Sequence, residues 1–211
     1  MTERGVVTGV YGWLLAVVLA GLVTAPAVAG EPGPEEIVRD STEQVIAGLR
    51  EREGELDEAF VKGLVHDHVL PHVNFELITR FALGRHWNDA TEAQRSELTE
   101  EIRKLLVRTY SQPLLEYSGE DVTYGAARVD QERGRASMRV DVKQRGGPAI
   151  PLTYQFRHRE GDGWQIYDVV VEGVSLVTNY RDSFGSEIRR NGVEGLLERI
   201  RERNRRGETE L

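Results

Sequence analysis

The stretch WQIYDVVVEGVSLVTNYRDSF, residues 164–184, decides the fold of this chain. It begins as a strand, turns at Glu172-Gly173, and ends in the aromatic-basic pair Tyr180-Arg181. Both parities of the strand are apolar, with Ile166, Val170 and Val174 on one and Tyr167, Val169 and Val171 on the other. A strand of this kind is either covered by protein on both faces or lines an apolar site.

Residues 1–29 have the pattern of a cleavable secretory signal peptide. Arg4 is basic, residues 10–23 form a short apolar run, and Ala27-Val28-Ala29 matches an A-x-A cleavage site. The alternative is a membrane anchor, but the run is short for a span of about 20 residues. We therefore expect a periplasmic protein with one folded domain, residues 30–204, and a disordered tail, residues 205–211.

Composition excludes several classes of function. The formal net charge is −8, whereas nucleic-acid binding requires a basic surface, so no nucleic-acid partner is expected. The chain has no cysteine, which removes thiolate nucleophiles, cysteine metal sites and disulfides. An exported chain of this kind is held together by its apolar core.

The periodicity changes twice along the chain. Apolar residues first recur at helical spacing, and Asn74 and the Thr91-Gln94 capping box mark helix starts. From Val122 to Val171 the period is two, with three turns between strands, and helical spacing then resumes with a break at Asn191-Gly192. This order predicts an α+β fold: a curved antiparallel meander of about four strands, with helices before and after it, forming an NTF2-like cone around an apolar cavity.

Three motifs have a chemical and a structural interpretation. His66, His68 and His72 are close in sequence, but Pro71 interrupts the helix that would align them, so no metal site is expected. Ser175 follows a strand, but a nucleophile elbow requires glycine where Val177 stands, so a helix cap is favoured. Asp168 is the one acid in the apolar strand, either a general base or, as we favour, a structural acid bonded to an arginine or to loop amides.

The chain resembles the MlaC family of periplasmic phospholipid-binding proteins, which serve the Mla ABC transport system and are also called toluene-tolerance auxiliary proteins. The similarity extends from about Val38 to Ile200. It rests on these segments: His72-Val73-Asn74-Phe75, LGRHW at 83–87, ATEAQ at 90–94, LVRTY at 106–110, WQIYDV at 164–169, EGVSL at 172–176, Asn179-Tyr180-Arg181 and Phe184. One departure is Asn74, where the family usually has aspartate; a cap is preserved there but a carboxylate is not.

The resemblance implies a carrier without enzymatic activity or cofactor, which holds a phospholipid as cargo between sheet and helices. Its implied partners are an inner-membrane ABC transporter with an MCE-domain subunit and an outer-membrane lipoprotein complex, and its role is to maintain outer-membrane lipid asymmetry. Arg181 is the candidate for the headgroup. The candidates for the lipid cavity are Phe75, Ile78, Phe81, Leu98, Ile102, Leu106, Tyr110, Tyr154, Phe156, Ile166, Val169, Val171, Val174, Leu176, Tyr180 and Phe184.

Three alternatives remain open at this stage. A subgroup of the family is associated with hopanoid biosynthesis, so the cargo is either phospholipid or hopanoid. A cone-fold enzyme would use Asp168 as its base. A purely structural module of the envelope would have a filled core and no cavity.

Overall fold

The computed structural model describes residues 31–52, 54–116, 119, 121–143 and 147–208. The expected signal peptide lies outside these residues, as do residues 209–211 of the expected tail. The elements in chain order are α1 (Pro34–Glu51), α2 (Glu58–His68), α3 (Phe75–Leu83), α4 (Glu92–Ser111), β1 (Asp121–Tyr124), β2 (Arg128–Asp130), β3 (Arg135–Lys143), β4 (Ala149–Arg159), β5 (Gly163–Val171), β6 (Val174–Ser175) and α5 (Leu176–Arg206). The α+β class expected from the periodicity is confirmed.

Polar side chains start the helices where the sequence predicts them. The Asn74 side chain accepts a hydrogen bond from the backbone N–H of Leu77, 2.8 Å away, and so caps α3. Thr91 and Gln94 form the reciprocal capping box of α4. Ser175 caps α5 by accepting from the backbone N–H of Thr178 at 3.0 Å. The interpretation of Ser175 as a helix cap is therefore confirmed.

One antiparallel sheet follows the first four helices. Its strand order is β1-β3-β4-β5-β6, and β2 pairs with β3 beside β1. The four strands expected from sequence correspond to β1, β3, β4 and β5, and the sheet also contains the short β2 and β6. These two have three and two residues, too few to show a period in sequence.

The last helix is bent at one glycine. Gly192 has φ 72° and ψ −179°, a backbone conformation that is close to glycine-only, and it lies at the break expected from Asn191-Gly192. Beyond it the helix continues through Arg205 and Arg206, the first two residues of the expected tail. Arg108 supports this end, because its guanidinium donates to the backbone carbonyls of Asn204 and Glu208.

The buried side chains form three hydrophobic clusters. The helical cluster joins α3, α4 and α5 around Leu98, Leu105 and Phe184. The sheet cluster packs Ile37 and Val38 of α1 on β3, β4 and β5, and a smaller cluster joins α1 to α2. Most single domains have one contiguous core with minor satellites. Here the apolar interior of the described residues is divided into a sheet cluster and a helical cluster, which meet at half-buried Val73.

Candidate functional site

A β-bulge explains why β5 is apolar on both parities. Gln155 of β4 pairs with Asp168, whereas the next residue, Phe156, pairs with Ile166, so Tyr167 has no partner in the register. Alternation is therefore reversed at Tyr167. Ile166, Val169 and Val171 face the same side of the sheet although their parity in sequence differs. Both parities of β5 therefore contribute to one face of the sheet: Ile166 before the bulge, and Val169 and Val171 after it.

The side of the sheet that α1 covers, called the inner face below, is apolar along its length. Cross-strand pairs give its members: Val122, Tyr124, Ala136, Met138, Val140, Val142, Ile150, Leu152, Tyr154, Phe156, Ile166, Val169 and Val171. Ala136, Met138 and Phe156 are buried at one end. Val142, Ile150, Leu152 and Val171 at the other end are only half-buried. The inner face is thus packed at one end and partly uncovered at the other.

The candidate lining residues fall into three groups in the structure. Seven are fully packed in the two large clusters: Ile78, Leu98, Ile102, Tyr180 and Phe184 between helices, and Phe156 and Ile166 on the sheet. Seven are half-buried: Phe75, Phe81, Leu106, Tyr154 and Val169 at cluster margins, and Val171 and Leu176 outside the clusters. Tyr110 is 41% exposed and Val174, on the edge strand β6, is 59% exposed. The structure therefore does not bring all sixteen residues to one site.

Other half-buried apolar residues, which are not among the sixteen candidates, lie at or near the uncovered end. Val142, Ile150 and Leu152 belong to the inner face, and Leu114 and Leu115 lie at the edge of the α1–α2 cluster. The signal was present in the alternation of β4, since Ile150 and Leu152 share the parity of Tyr154 and Phe156. On β4 only the aromatic residues Tyr154 and Phe156 were predicted as lining residues, although the aliphatic Ile150 and Leu152 share their parity.

Two concavities lie among the described residues, and the first is partly lined by the inner face. One of about 350 Å³ is bounded by α1 and β1 and lined by Ile46, Ala47, Val122 and Tyr124, with Glu43, Arg50 and Asp121 also present. A second, of about 110 Å³, adjoins Phe184 and Glu187 on α5. Apart from Phe184, neither includes a candidate lining residue. The candidate lipid site is the partly uncovered end of the inner face, and the first concavity adjoins it at Val122, which pairs with Val142.

Arg181, the headgroup candidate, has a structural contact. Its Nε donates to the backbone carbonyl of Phe81 at 2.7 Å, near the end of α3. The side chain lies over Gly84, whose φ of 56° is left-handed. The positive φ accounts for glycine there, since a Cβ would stand at an ordinary contact distance, 3.5 Å, from Arg181 Cδ. The residue is exposed, so its guanidinium also faces solvent.

Both carboxylate oxygens of Asp168 are used to start α5. Oδ2 accepts from the Ser175 hydroxyl at 2.6 Å, and Oδ1 accepts from the backbone N–H of Val177 at 3.1 Å. Two kinds of structural partner were expected, loop amides or an arginine, and among the described residues these bonds come from a backbone amide and a hydroxyl. A carboxylate at a helix N-terminus also interacts favourably with the helix dipole. These bonds support the structural role of Asp168 over that of a general base.

Two tyrosines from α4 and α5 lie together beside this corner. Burial raises the pKa of the Tyr180 hydroxyl well above its ordinary value, and the neighbouring Tyr110 raises it further. Burial also raises the pKa of Tyr110, although a hydrogen bond with Tyr180 lowers it. Both hydroxyls therefore stay protonated at neutral pH and act as neutral hydrogen-bonding groups.

The histidines give no metal centre in the part of the chain that the structure describes. His66 Nδ1 contacts Asp67 Oδ1 at 2.9 Å, and no group of three or more His, Asp or Glu residues is placed there to hold a metal ion. Burial lowers the pKa of His72, while Asp40 acts in the opposite direction. None of the described helices is both long and apolar enough to span a membrane.

The fold defines an α+β domain with one apolar face of the sheet that is left partly uncovered. The protein from Ralstonia solanacearum described as a phospholipid-binding protein, solved in complex with a phospholipid, has this architecture. It is 28% identical, and the match has a TM-score of 0.73 and covers 82% of this chain and 97% of that chain.

The MlaC protein family model matches residues 39–202, so the chain belongs to the MlaC family. Curated relatives agree with this assignment. The intermembrane phospholipid transport system binding protein MlaC of Haemophilus influenzae is 23% identical, with 90% of each chain covered. The toluene tolerance protein ttg2D of Pseudomonas putida is 26% identical over 75% of this chain and 74% of that protein. The family resemblance read from the sequence motifs is confirmed.

Proposed function

We propose that this protein is a periplasmic phospholipid carrier that moves lipid between outer-membrane and inner-membrane Mla complexes and so maintains outer-membrane lipid asymmetry. The observation that carries the proposal is the match to the Ralstonia protein, which includes nearly all of that chain and has a phospholipid bound. The names of the curated relatives support transport as the purpose of binding. An ABC transporter with an MCE-domain subunit and an outer-membrane lipoprotein complex are the proposed partners.

The division of the apolar interior supports a lipid between sheet and helices. A lipid chain that left the membrane unprotected would expose its methylene groups to water, at about 0.8 kcal/mol each. The half-buried side chains of the inner face, with those at the margin of the helical cluster such as Phe75 and Leu106, offer apolar surface to replace water. Acyl chains would complete a core that the protein leaves in separate parts.

A carrier of this kind works without driving transport itself. Lipid in a bilayer is already out of water, so its transfer to an apolar site changes the free energy little. Net direction then depends on partners with different affinities for the loaded and empty protein. Asp168 and Ser175, the two side chains with a possible catalytic interpretation, bond to each other at the start of α5. This arrangement supports a binding role rather than an enzymatic one.

The test uses two neighbouring residues on opposite faces of β4. Leu152→Glu places a carboxylate at the half-buried end of the inner face, and Thr153→Glu places one on the other face as the matched control. Native mass spectrometry without detergent and uptake from labelled vesicles report the cargo. We expect wild type and Thr153→Glu to carry phospholipid, and Leu152→Glu to lose it by more than about tenfold, because a carboxylate against an acyl chain is costly.

Two outcomes would contradict the proposal. A wild-type protein with neither bound lipid nor uptake would overturn the carrier function. Equal loading of Leu152→Glu and Thr153→Glu, with both variants folded by circular dichroism, would overturn the inner face as the site. Mass measurement of the cargo also separates phospholipid from hopanoid.

A further inference from the structure

The face of the sheet opposite the inner face carries a cluster of arginines that its local structure does not neutralise. This face includes Arg128 of β2, Arg135 of β3 and Arg157 of β4. Arg135 pairs directly with Arg157, and Arg128 pairs with Ser137, which lies on the same face of β3 as Arg135. Arg133 in the adjoining turn donates through its Nη1 to Asp130 at 3.3 Å. We call Arg128, Arg133, Arg135 and Arg157 the arginine patch.

The charges around the patch do not cancel. Asp130 lies across from Arg135 in the register, but its two carboxylate oxygens accept from the backbone N–H and the guanidinium of Arg133. Arg157 Nη1 donates to the backbone carbonyl of Arg133 at 3.1 Å, which holds the guanidinium without neutralising it. Glu132 is exposed in the same turn. The four guanidinium groups of the patch thus stand with two carboxylates on β2 and in the turn that follows it, Asp130 and Glu132, on a protein whose formal net charge is −8. In the neighbouring turn between β4 and β5, Arg159 is paired with Asp162 at 3.8 Å and Glu160 is exposed.

The pairing of Arg135 with Arg157 is unfavourable for the sheet itself. Like charges directly opposite each other in an antiparallel pair destabilise it. This pair of arginines lowers the local stability of the sheet, in a chain with more acidic than basic residues. Residues that oppose the stability of their own element are typical of functional or strained sites. All the cationic groups of the patch are arginines, whose planar fork matches phosphate oxygens in a bidentate geometry.

We propose that the arginine patch docks the protein on the phosphate layer of an anionic lipid bilayer. A bilayer fits better than an acidic protein because the neighbours of the patch on this face are polar, namely Ser137, Gln155 and Gln165. Specific protein interfaces centre on buried aromatic or aliphatic anchors, and no such residue is among these described neighbours of the patch; Val170, which shares the face, lies further along β5 opposite Thr153. The docking is a property beyond the proposed carrier function, and it would hold the carrier at a membrane by charge alone.

Co-flotation with phosphatidylcholine vesicles, with and without phosphatidylglycerol, tests the docking. Each basic residue near an anionic surface contributes about 1 kcal/mol, so Arg157→Glu, a change of two charges, should weaken binding to the phosphatidylglycerol vesicles by about 25-fold. The control Arg189→Glu makes the same charge change at an exposed position of α5 and should weaken it much less. Wild-type binding should fall as sodium chloride is added and should be absent on phosphatidylcholine alone.

A stability measurement distinguishes docking from damage to the fold. Arg157→Glu replaces a like-charge pair with an opposite-charge pair across from Arg135, so its Tm should equal that of wild type or exceed it by about 1–3 °C. A variant that is as stable as wild type and binds vesicles less supports the proposal. Equal binding of wild type and Arg157→Glu would overturn it, as would salt-sensitive binding to polyglutamate without binding to anionic vesicles. Cargo measured by native mass spectrometry should be the same in both proteins, so failure of the carrier function is scored separately.

Discussion

Asp168 and Ser175 share a hydrogen bond of 2.6 Å between the carboxylate Oδ2 and the hydroxyl Oγ, and this bond joins β5 to the start of α5. The two residues are separated by the tight turn Glu172-Gly173, in which both residues have positive φ, 50° and 86°. The hydroxyl in turn caps the helix through the backbone N–H of Thr178. The pair fixes the direction in which the chain leaves the sheet.

Asp168→Ala should destabilise the protein by about 2 kcal/mol, because it removes two hydrogen bonds to a carboxylate at a helix N-terminus. Urea unfolding gives the value. Ser175→Ala should cost about 1 kcal/mol as the loss of a cap, and the double variant should cost less than the sum of the two. Bound lipid should remain in all three. The structural role would be contradicted if wild type catalysed a reaction that Asp168→Asn did not, while the two proteins had the same free energy of unfolding.

Asn74→Ala should destabilise the protein by about 1–3 kcal/mol, whereas Asn74→Asp should be nearly neutral. The Asn74 side chain caps α3 with Oδ1 and donates through Nδ2 to Gln165 Oε1 at 2.6 Å. Alanine removes both interactions. Aspartate keeps the cap, and rotation of the Gln165 amide allows it to donate instead of accept. Thermal unfolding of both variants checks this, and a large loss of Tm in Asn74→Asp would show that the amide itself is required.

Gly192→Ala and Gly63→Ala should have opposite effects on the free energy of unfolding. A Cβ would meet no atom within 4 Å at either position, so contacts do not decide the outcome. Gly192 has φ 72° and ψ −179°, where alanine is strained by about 1–3 kcal/mol. Gly63 lies within α2, where alanine is favoured over glycine by about 1 kcal/mol. Chemical denaturation of the pair measures both, and a stabilised Gly192→Ala would contradict the kink.

Glu187 should support stability at neutral pH and lose this effect in acid. Asn191 donates a hydrogen bond to its buried carboxylate and holds the pKa below the ordinary 4.5; Arg190 and Arg199 lower it further, while burial opposes them. A lowered pKa in the folded state means that the stabilisation is complete above pH 4.5 and disappears as the pH falls through the folded-state pKa.

The measurement compares Tm across this range for wild type and Glu187→Gln. The difference between the two should be largest at neutral pH and shrink in acid. Glu198→Gln, an exposed carboxylate on the same helix, is the control and should follow wild type throughout. A constant difference between wild type and Glu187→Gln would show that packing, not ionisation, causes it.

The sequence was sufficient for the elements whose signals are local. Helix starts at Asn74, Thr91 and Ser175 follow from side chains that bond to the next turn, and the break at Gly192 follows from glycine itself. The bulge at Tyr167 could not be predicted, because it depends on the register with β4. The same holds for Arg205 and Arg206, since the helical end depends on Arg108 from a distant helix.

The candidate site was the part least accessible from sequence. Leu98, Ile102 and Phe184 have the apolar character expected of a ligand site, yet they pack against one another between helices. Composition does not distinguish a side chain that meets another side chain from one that meets a ligand. The half-buried state of Val142 and Leu152 becomes visible only when the extent of the helical layer over the sheet is known.

β5 is a regular strand into which one extra residue, Tyr167, is inserted. Removing it from the chain would leave Trp164, Ile166, Val169 and Val171 on the inner face, because the register of β4 already passes over it. What the deletion would remove is the edge-to-face contact of the Tyr167 ring with Phe81 of α3, 5.3 Å between ring centroids. One contact between helices and sheet and the phase of the apolar face are therefore separable: deletion of Tyr167 would remove the first without altering the second.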